Sequence, residues 1–205
     1  MTLCIKYLFH HIKFFIHLPL QKQNRFMEII TLKDKSFDIY ISKEKIQERI
    51  KVLADEIKKD VGEDEPLFLG ILNGSFIFAS DLIRQCDFPL NISFVKVASY
   101  LGTKSSGSVS QLIGLNESIL DRTVVVIEDI VDTGKTVEKI DGLLRKNGAR
   151  DIKYATLLFK PDAYTKSIHI DYKAFDIPNE FVVGYGLDYN GWGRNTDNIY
   201  KIIEE

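Results

Sequence analysis

The chain has 205 residues, 45% of them hydrophobic and 27% charged, which is the composition of one soluble globular domain with enough apolar side chains for a core. Its formal net charge of -2 at pH 7 argues against a general nucleic-acid binder and against a membrane-surface protein. The two cysteines, Cys4 and Cys86, provide neither a disulfide framework nor a metal-binding spacing. We therefore expect reduced thiols in a cytoplasmic protein.

Residues 1–26 differ from the rest of the chain. They hold three of the four histidines and an apolar run that Lys6 and Lys13 interrupt. This run is too short and too interrupted for a membrane span, and no clear signal-peptide cleavage site accompanies it. We expect residues 1–26 to be a disordered extension or a mis-assigned start, and residues 27–205 to form a single domain.

The first predicted element is an amphipathic helix. Apolar residues recur at intervals of three and four over 46–61, Ser42 precedes them as the predicted N-cap, and Gly62 ends the pattern. The continuous apolar run at 67–72 that follows is typical of a central strand in a parallel sheet.

A turn at Asn73-Gly74-Ser75 then leads into a second predicted helix at 76–85. A strand-loop-helix corner of this kind is a candidate anion site, although a plain turn fits the local sequence equally well. A strand at 92–98 comes next, followed by a polar, serine-rich stretch at 102–110. Such a stretch is typical of a lid or binding loop, with a disordered connector as the alternative, and 111–116 is predicted to return as a short strand.

The most informative stretch runs from Val124 to Thr136. Four β-branched residues at 124–127 predict a strand buried on both faces, and hence a parallel sheet covered by helices. Helical periodicity begins at Lys135 and stops at Asn147-Gly148. The backbone N–H groups of 132–136 would then lie at a helix N-terminus, where unpaired donors and the helix dipole favour a phosphate.

Three acidic residues beside this anion site restrict the chemical class of the ligand: Glu128, Asp129 and Asp132. They would repel a phosphate unless sugar hydroxyls or Mg²⁺ lay between, since carboxylates accept hydrogen bonds from hydroxyls and bind hard cations. A ligand with a terminal phosphate, a diol and a metal-bound group fits that order of charges. A Walker P-loop also ends in Gly-Lys-Thr, but its first glycine would fall at Asp129.

Two further segments are predicted: a strand at 153–159 before Lys160, and a strand and turn at 181–188. Strands that alternate with helices predict a three-layer α/β domain with a mostly parallel sheet. Ligands in such sheets bind beyond the carboxyl ends of the strands. At those ends the sequence predicts a convergence of 73–75, 99–100, 128–136, Lys160 and Asp188.

The acidic strand end with its loop resembles the phosphoribosyl-pyrophosphate signature of the type I phosphoribosyltransferases. The matching residues are Glu128, Asp129, Asp132, Thr133, Gly134, Lys135 and Thr136. Three later features resemble the hypoxanthine-guanine branch of that family: Lys160, the run Phe-Val-Val-Gly-Tyr-Gly-Leu-Asp-Tyr-Asn at 181–190, and Arg194. The resemblance covers 27–205 in order and implies that family's α/β fold, with a small hood formed by the terminal segments.

For the sugar, the resemblance implies that the 132–136 loop, with the hydroxyls of Thr133 and Thr136, holds the 5′-phosphate of the substrate. Glu128 and Asp129 would accept hydrogen bonds from the ribose hydroxyls and help to seat Mg²⁺. Asp132 would be the general base near N7 of the purine. Helix capping by Asp132 and the two threonines is the alternative role for these residues.

For the purine, the resemblance implies that Lys160 donates to the 6-oxo group, that Phe181 stacks on the base, and that the backbone of Val182 reads its Watson–Crick edge. Asp188 would border the purine and bind a second Mg²⁺. The alternatives are an exposed lysine at 160 and an ordinary core phenylalanine at 181.

For the leaving group, the resemblance implies a pyrophosphate site built from Asn73, Gly74, Ser99, Tyr100 and Arg194. Ser99-Tyr100 matches the mobile-loop pair of the family, and a surface ion pair is the alternative for Arg194. Some members carry lysine at the position of Asn73, so a positive charge is missing here. A cis peptide bond at Leu72–Asn73 is possible on the same resemblance, at a cost of about 3 kcal/mol.

The implied function is purine salvage, in which the phosphoribosyl group of phosphoribosyl pyrophosphate is transferred to hypoxanthine or guanine. The family suggests Mg²⁺ as cofactor and a homodimer or homotetramer, and neither nucleic acid nor membrane is expected as a partner. Two alternatives stay open. One is a xanthine-preferring enzyme, and the other is a non-enzymatic regulator that senses phosphoribosyl pyrophosphate, for which a basic face or an added DNA-binding domain would be expected.

Overall fold

The computed structural model describes residues 29–97, 112–113 and 117–203. The predictions for the extension at 1–26, for Ser99-Tyr100 and for the loop at 102–110 lie outside these residues. Within the described ranges, none of the helices is long and apolar enough to cross a membrane.

The described chain contains ten strands and three α-helices. The strands are β1 Ile30–Leu32, β2 Lys35–Ile41, β3 Leu67–Leu72, β4 Asn91–Val97, β5 Leu112–Ile113, β6 Thr123–Val131, β7 Asp151–Phe159, β8 Tyr172–Asp176, β9 Val182–Val183 and β10 Ile199–Ile202. The helices are α1 Lys43–Val61, α2 Phe76–Gln85 and α3 Lys135–Lys146.

The main sheet has the strand order β5-β4-β3-β6-β7-β8, and all neighbours pair in parallel except β5, which runs antiparallel to β4. Successive residues of β6 are buried on opposite faces. Val125 and Ile127 pack in the cluster that contains α1 and α2, whereas Val124 and Val126 pack in the cluster that contains α3. The predicted three-layer α/β fold is therefore confirmed, and burial on both faces explains the run of β-branched residues.

The crevice between β3 and β6 is the topological switch point of this sheet. From β3 the chain passes through α2 to β4, whereas from β6 it passes through α3 to β7 on the other side. Because β3 and β6 are neighbours, the N-termini of α2 and α3 both open onto the crevice at their carboxyl ends. Open α/β sheets bind ligands at this place.

A second, antiparallel sheet with the order β1-β2-β10-β9 confirms the predicted hood of terminal segments. The segment at 181–188, predicted as a strand and a turn, contains both, with the strand in the hood. Only Val182 and Val183 are extended, and they pair with β10 in the hood. Gly184 and Gly186, with φ of +97° and +102°, end the strand in a conformation that side chains disfavour. Asp188 therefore reaches the crevice from the hood.

The start of α1 also differs from the prediction. Ser42 stands at the N-cap with extended backbone, but its hydroxyl makes no capping hydrogen bond. Instead the amide of Lys43 donates to Oδ1 of Asn198, at 2.8 Å. Asn198 directly precedes β10, which pairs with β2 immediately before α1, so the folded tail caps the helix from a distance of 155 residues along the chain.

Candidate active site

The N-terminus of α3 forms the floor of the crevice. Gly134 is its N-cap, with φ of +79°, and an added Cβ there would overlap with the ring of Tyr164. No side chain caps this helix, so Asp132 and Thr133 do not serve as caps. The first-turn amides therefore keep the free donors of a helix N-terminus, a ready site for a phosphate. Thr133 and Lys135 are exposed here and Thr136 is half-buried.

Glu128 and Asp129 lie in the last four residues of β6, next to this floor, and the surroundings of both disfavour a charged carboxylate. Burial raises the pKa of Glu128 well above its ordinary value, and the neighbouring Asp129 raises it further. Burial also raises the pKa of Asp129, to about 6, although two backbone N–H donors and the cation of Arg194 oppose the rise. Carboxylates shifted this far and lying in a crevice are typical of functional sites.

The turn after β3 packs directly against these acids. An added Cβ on Gly74 would overlap with Oδ2 of Asp129, and one on Gly186 would overlap with the carbonyl oxygen of Gly74. Three segments therefore meet here without room for a methyl group. Ser75 donates from Oγ to the carbonyl oxygen of Ile71, at 2.7 Å, which ties the turn to β3. Asn73 is exposed, and the Leu72–Asn73 peptide bond is cis.

Lys160 follows β7 and is 7% exposed, so it is not the surface lysine of the alternative interpretation. Its Nζ lies 3.4 Å from Oδ2 of Asp132 and 3.3 Å from Oδ1 of Asn179. The side chain of Asp132 is 46% exposed at the mouth of the crevice. An ammonium donor and a carboxylate acceptor thus lie side by side. A ligand that carries both a hydrogen-bond acceptor and a hydrogen-bond donor would be complementary to this pair.

Phe181 is a partly exposed aromatic residue of the hood. It is 45% exposed and is not an ordinary core residue. Its ring packs against Phe37 at 6.3 Å between centroids, and edge-on against Tyr189 at 5.9 Å. Val182 is buried beside it, and the carbonyl oxygen of Phe181 accepts from the amide of Ile202 at 3.1 Å. This support holds the ring in place while nearly half of the side chain stays exposed and available for stacking.

Asp188 and Arg194 form a close ion pair on the hood, and each side chain is 28% exposed. Asp188 also accepts from the amide of Gly191, at 2.6 Å, and Nη1 of Arg194 donates to the carbonyl oxygen of Gly186, at 2.5 Å. Arg194 is therefore half-buried and joined to the loop, unlike a solvated surface pair. The same cation lowers the pKa of Asp129, which places it near the acidic strand end.

A comparison with protein families identifies the family of this chain. The family model described as "Phosphoribosyl transferase domain" matches residues 38–190, which is most of the chain.

The chain belongs to the phosphoribosyltransferase family.

Individual relatives of this phosphoribosyltransferase are similar over most of their length. A hypoxanthine-guanine phosphoribosyltransferase of Lactococcus lactis is 42% identical over 168 residues, covering 81% of this chain and 91% of the relative. A solved hypoxanthine phosphoribosyltransferase of Staphylococcus aureus superposes with a TM-score of 0.74 at 38% identity, covering 80% of this chain and 90% of that one. A solved hypoxanthine-guanine phosphoribosyltransferase of Bacillus anthracis gives 0.73 at 34% identity, with 81% and 97% covered.

The carboxylates of this phosphoribosyltransferase are suited to Mg²⁺ that substrate phosphates also bind. Among the described residues, no three acidic, histidine or cysteine side chains converge as a complete metal site. Mg²⁺, however, is commonly held by one or two carboxylates together with substrate phosphates. The charge of Asp188 raises the pKa of Asp129, so these two carboxylates interact across the crevice, and Glu128 is adjacent to Asp129 in sequence.

Three contributors to the crevice were not predicted: Asn179 beside Lys160, Tyr189 beside Phe181, and Gly186 against Gly74. Asn179 and Tyr189 carry no local pattern that distinguishes them from loop residues. The Gly-Tyr-Gly spacing at 184–186 was the one available signal, because glycines on both sides of a bulky residue are typical of backbone with positive φ.

Proposed function

We propose that this chain transfers the 5-phosphoribosyl group from phosphoribosyl pyrophosphate to hypoxanthine or guanine, with IMP or GMP and pyrophosphate as products. The observation that carries the proposal is the buried Lys160 ammonium 3.4 Å from Asp132, at the loop that leads into the uncapped N-terminus of α3. The names of the curated and solved relatives support the same substrates.

On the sugar side, the free amides at the start of α3 bind the 5′-phosphate, and Glu128 and Asp129 accept hydrogen bonds from the ribose hydroxyls. Burial raises the pKa of both acids, so hydroxyl donors are favourable partners for them. Binding at these two places fixes C1 of the ribose in the crevice. Positioning of this kind supplies a large part of the rate enhancement when two substrates must meet.

On the purine side, Phe181 stacks on the base and Lys160 donates to the 6-oxo group. Asp132 accepts a proton at N7 as a purine nitrogen attacks C1 of the ribose and the bond from C1 to pyrophosphate breaks. Adenine carries an amino group where the 6-oxo group would be, so the Lys160 ammonium would face another donor. A buried donor left without an acceptor is what makes such discrimination large.

The leaving pyrophosphate takes up the electron pair of the broken bond. Arg194 and the backbone around Gly74 bind the charged pyrophosphate group equally before and after the bond breaks. Asp129 and Asp188, with Glu128, would hold Mg²⁺, which when bound supplies further neutralisation of that charge. Asn73 brings no positive charge to this end of the crevice.

Replacing Lys160 by alanine should weaken hypoxanthine binding and reduce the rejection of adenine by about tenfold or more, because the discriminating donor is gone. The measurement is kcat/KM for hypoxanthine and for adenine. Lys160→Met is the matched control, since it keeps the buried stem and removes only the charge, and it should behave in the same way. A ratio of the two kcat/KM values that stays at the wild-type level in both variants would remove the role of Lys160.

The proposed activity is tested by pyrophosphate release with hypoxanthine, guanine, xanthine and adenine in turn, each with Mg²⁺ and with Mg²⁺ removed. Fastest turnover with hypoxanthine or guanine supports the proposal. Fastest turnover with xanthine would favour the xanthine-preferring alternative. Binding of phosphoribosyl pyrophosphate without release from any base would favour the regulator.

We further propose that residues 27–205 form a single phosphoribosyltransferase domain. Among the described residues, the hood sheet has the order β1-β2-β10-β9, and its first strand begins at Ile30. A variant that starts at Met27 should keep the kcat and the melting temperature of the full chain. A loss of either would show that residues 1–26 contribute to the folded enzyme.

The proposal includes a cytoplasmic location and a homodimer or homotetramer. Burial raises the pKa of the Cys86 thiol to about 12, which makes it unreactive and suits a chain that carries reduced cysteines. Light scattering of the purified full chain would give the number of subunits.

A further inference from the structure

A buried phenol, the side chain of Tyr185, lies between the hood turn and the helices of the main domain. Tyr185 is 3% exposed, and its hydroxyl donates to Oδ2 of Asp81 at 2.5 Å. Nε2 of Gln47 donates to the same carboxylate oxygen at 2.6 Å and lies 3.3 Å from the phenol oxygen. Burial, reinforced by the Asp81 carboxylate, raises the pKa of Tyr185, so the phenol stays protonated and donates. Hydrogen bonds to a charged acceptor are among the stronger ones in proteins.

The two partners of this phenol belong to different helices of the main domain. Gln47 is on α1, and Asp81 is on α2, the helix that begins directly after the turn at Gly74. Tyr185 itself belongs to the segment between β9 and β10 of the hood sheet. One side chain therefore joins the hood to both helices that cover this face of the sheet.

The backbone of Tyr185 adds a second observation. Its φ is +51°, in the left-handed region that residues with a Cβ disfavour, and it lies between Gly184 and Gly186, which also have positive φ. Glycine would adopt this conformation at less cost. The tyrosine therefore brings a side-chain interaction that offsets the unfavourable backbone.

The residue after Tyr185 connects this anchor to the active site. Gly186 packs so closely on the carbonyl oxygen of Gly74 that an added Cβ would overlap with it. The amide of Gly186 donates to the carbonyl oxygen of Arg194 at 2.9 Å, and Nη1 of Arg194 donates back to the carbonyl oxygen of Gly186 at 2.5 Å. Any displacement at 185 thus moves Arg194 relative to the turn at Gly74.

We infer that Tyr185 is a positioning residue for the pyrophosphate end of the substrate: through Asp81 and Gln47 it fixes the turn that carries Asp188 and Arg194 against Gly74. This inference rests on the proposed function. Because Arg194 and the Gly74 turn contact pyrophosphate both before and during the reaction, their misplacement weakens binding more than it slows the chemical step.

Tyr185→Phe tests the inference, since it removes the hydroxyl and keeps the buried ring. Tyr172→Phe is the matched control. Tyr172 is 5% exposed and its hydroxyl donates to Asp60 near the C-terminal end of α1, far from the hood turn. Tyr185→Phe should raise the KM for phosphoribosyl pyrophosphate about tenfold with less than a twofold change in kcat, and Tyr172→Phe should change neither.

Amide hydrogen exchange provides a readout that does not depend on turnover. In Tyr185→Phe the amides of 184–196 should exchange faster while those of α3 stay at the wild-type rate, and Tyr172→Phe should leave both segments unchanged. Asp81→Asn, which keeps an acceptor oxygen but removes its charge, should raise the same KM by a smaller factor and serves if Tyr185→Phe does not fold.

The outcomes distinguish failure of the proposed function from failure of the positioning role of Tyr185. A wild-type chain that releases no pyrophosphate with any purine would defeat the proposed function. An active wild type with a KM for phosphoribosyl pyrophosphate that stays within twofold in Tyr185→Phe and in Asp81→Asn would overturn the positioning role alone. Equal rises of that KM in Tyr185→Phe and Tyr172→Phe would also overturn it, because the effect would then follow from general loss of stability.

Discussion

Gly74→Ala is expected to lower kcat/KM for phosphoribosyl pyrophosphate by about a hundredfold or more. The added methyl group would occupy the position of Oδ2 of Asp129, so either the carboxylate rotates away or the turn moves outward. Outward movement meets a second obstacle, because Gly186 already packs on the carbonyl oxygen of Gly74. A displacement of about 1 Å at a site that positions reacting groups is enough for a loss of that size.

The measurement is steady-state kinetics of the variant with hypoxanthine and varied phosphoribosyl pyrophosphate, together with urea unfolding. Gly142→Ala is the matched control, because Gly142 lies on the exposed side of α3 and an added Cβ there would meet nothing within 4 Å. That control should keep full activity and raise the free energy of unfolding by about 0.5–1 kcal/mol, the usual gain from replacing glycine in a helix. Activity of Gly74→Ala within threefold of wild type would show that the three segments are not packed as described.

The central part of the fold was predictable because its signals are local. The β-branched run at 124–127 and the apolar run at 67–72 each predict a strand buried on both faces, and both are confirmed as neighbours in the parallel sheet. The switch point then follows from the order of strands and helices. For the same reason the loops at 73–75 and 128–136, which end these two strands, were expected in one crevice.

The presence of a hood formed by the terminal segments was predictable, but its strand pairings were not, because they join segments far apart in the sequence. β2 pairs with β10 across more than 150 residues, and neither strand carries a pattern that specifies its partner. The short strand at 182–183 was predicted, but its apolar residues fit either sheet, so its pairing with β10 was not predictable. The capping hydrogen bond of α1 was not predicted for the same reason, because its acceptor is Asn198 rather than Ser42 and lies 155 residues away along the chain.

The candidate site shows the same division between local and distant signals. Lys160 and Asp132 were expected in the crevice because each ends a strand of the parallel sheet. Their separation of 3.4 Å depends on the pairing of β6 with β7, which continues through the hydrogen bond from the amide of Lys160 to the carbonyl oxygen of Val131, at 3.0 Å. The fit of Gly186 on Gly74 was not predictable, because it depends on how the hood sits on α2.

Asp132→Asn is expected to lower kcat by about a hundredfold while the KM for phosphoribosyl pyrophosphate stays within a few fold of wild type. An asparagine has nearly the same shape but does not take up a proton, and general acid–base groups contribute on this scale. The phosphate-binding amides belong to the backbone, and no side chain caps α3, so the substitution leaves the helix N-terminus intact. Lys160 keeps its other neighbour, Asn179, at 3.3 Å, so the purine pocket retains its donor.

The control for this substitution is Asp55→Asn, which changes the net charge equally at an exposed position of α1 and should leave all constants unchanged. The pH profile of kcat distinguishes a base from a binding group. If Asp132 takes the proton, the variant should lose kcat at every pH of the profile and keep the KM for hypoxanthine within a few fold of wild type. A variant with wild-type kcat and a raised KM for hypoxanthine would instead make Asp132 a binding partner of Lys160, since only uniform binding would then have been lost.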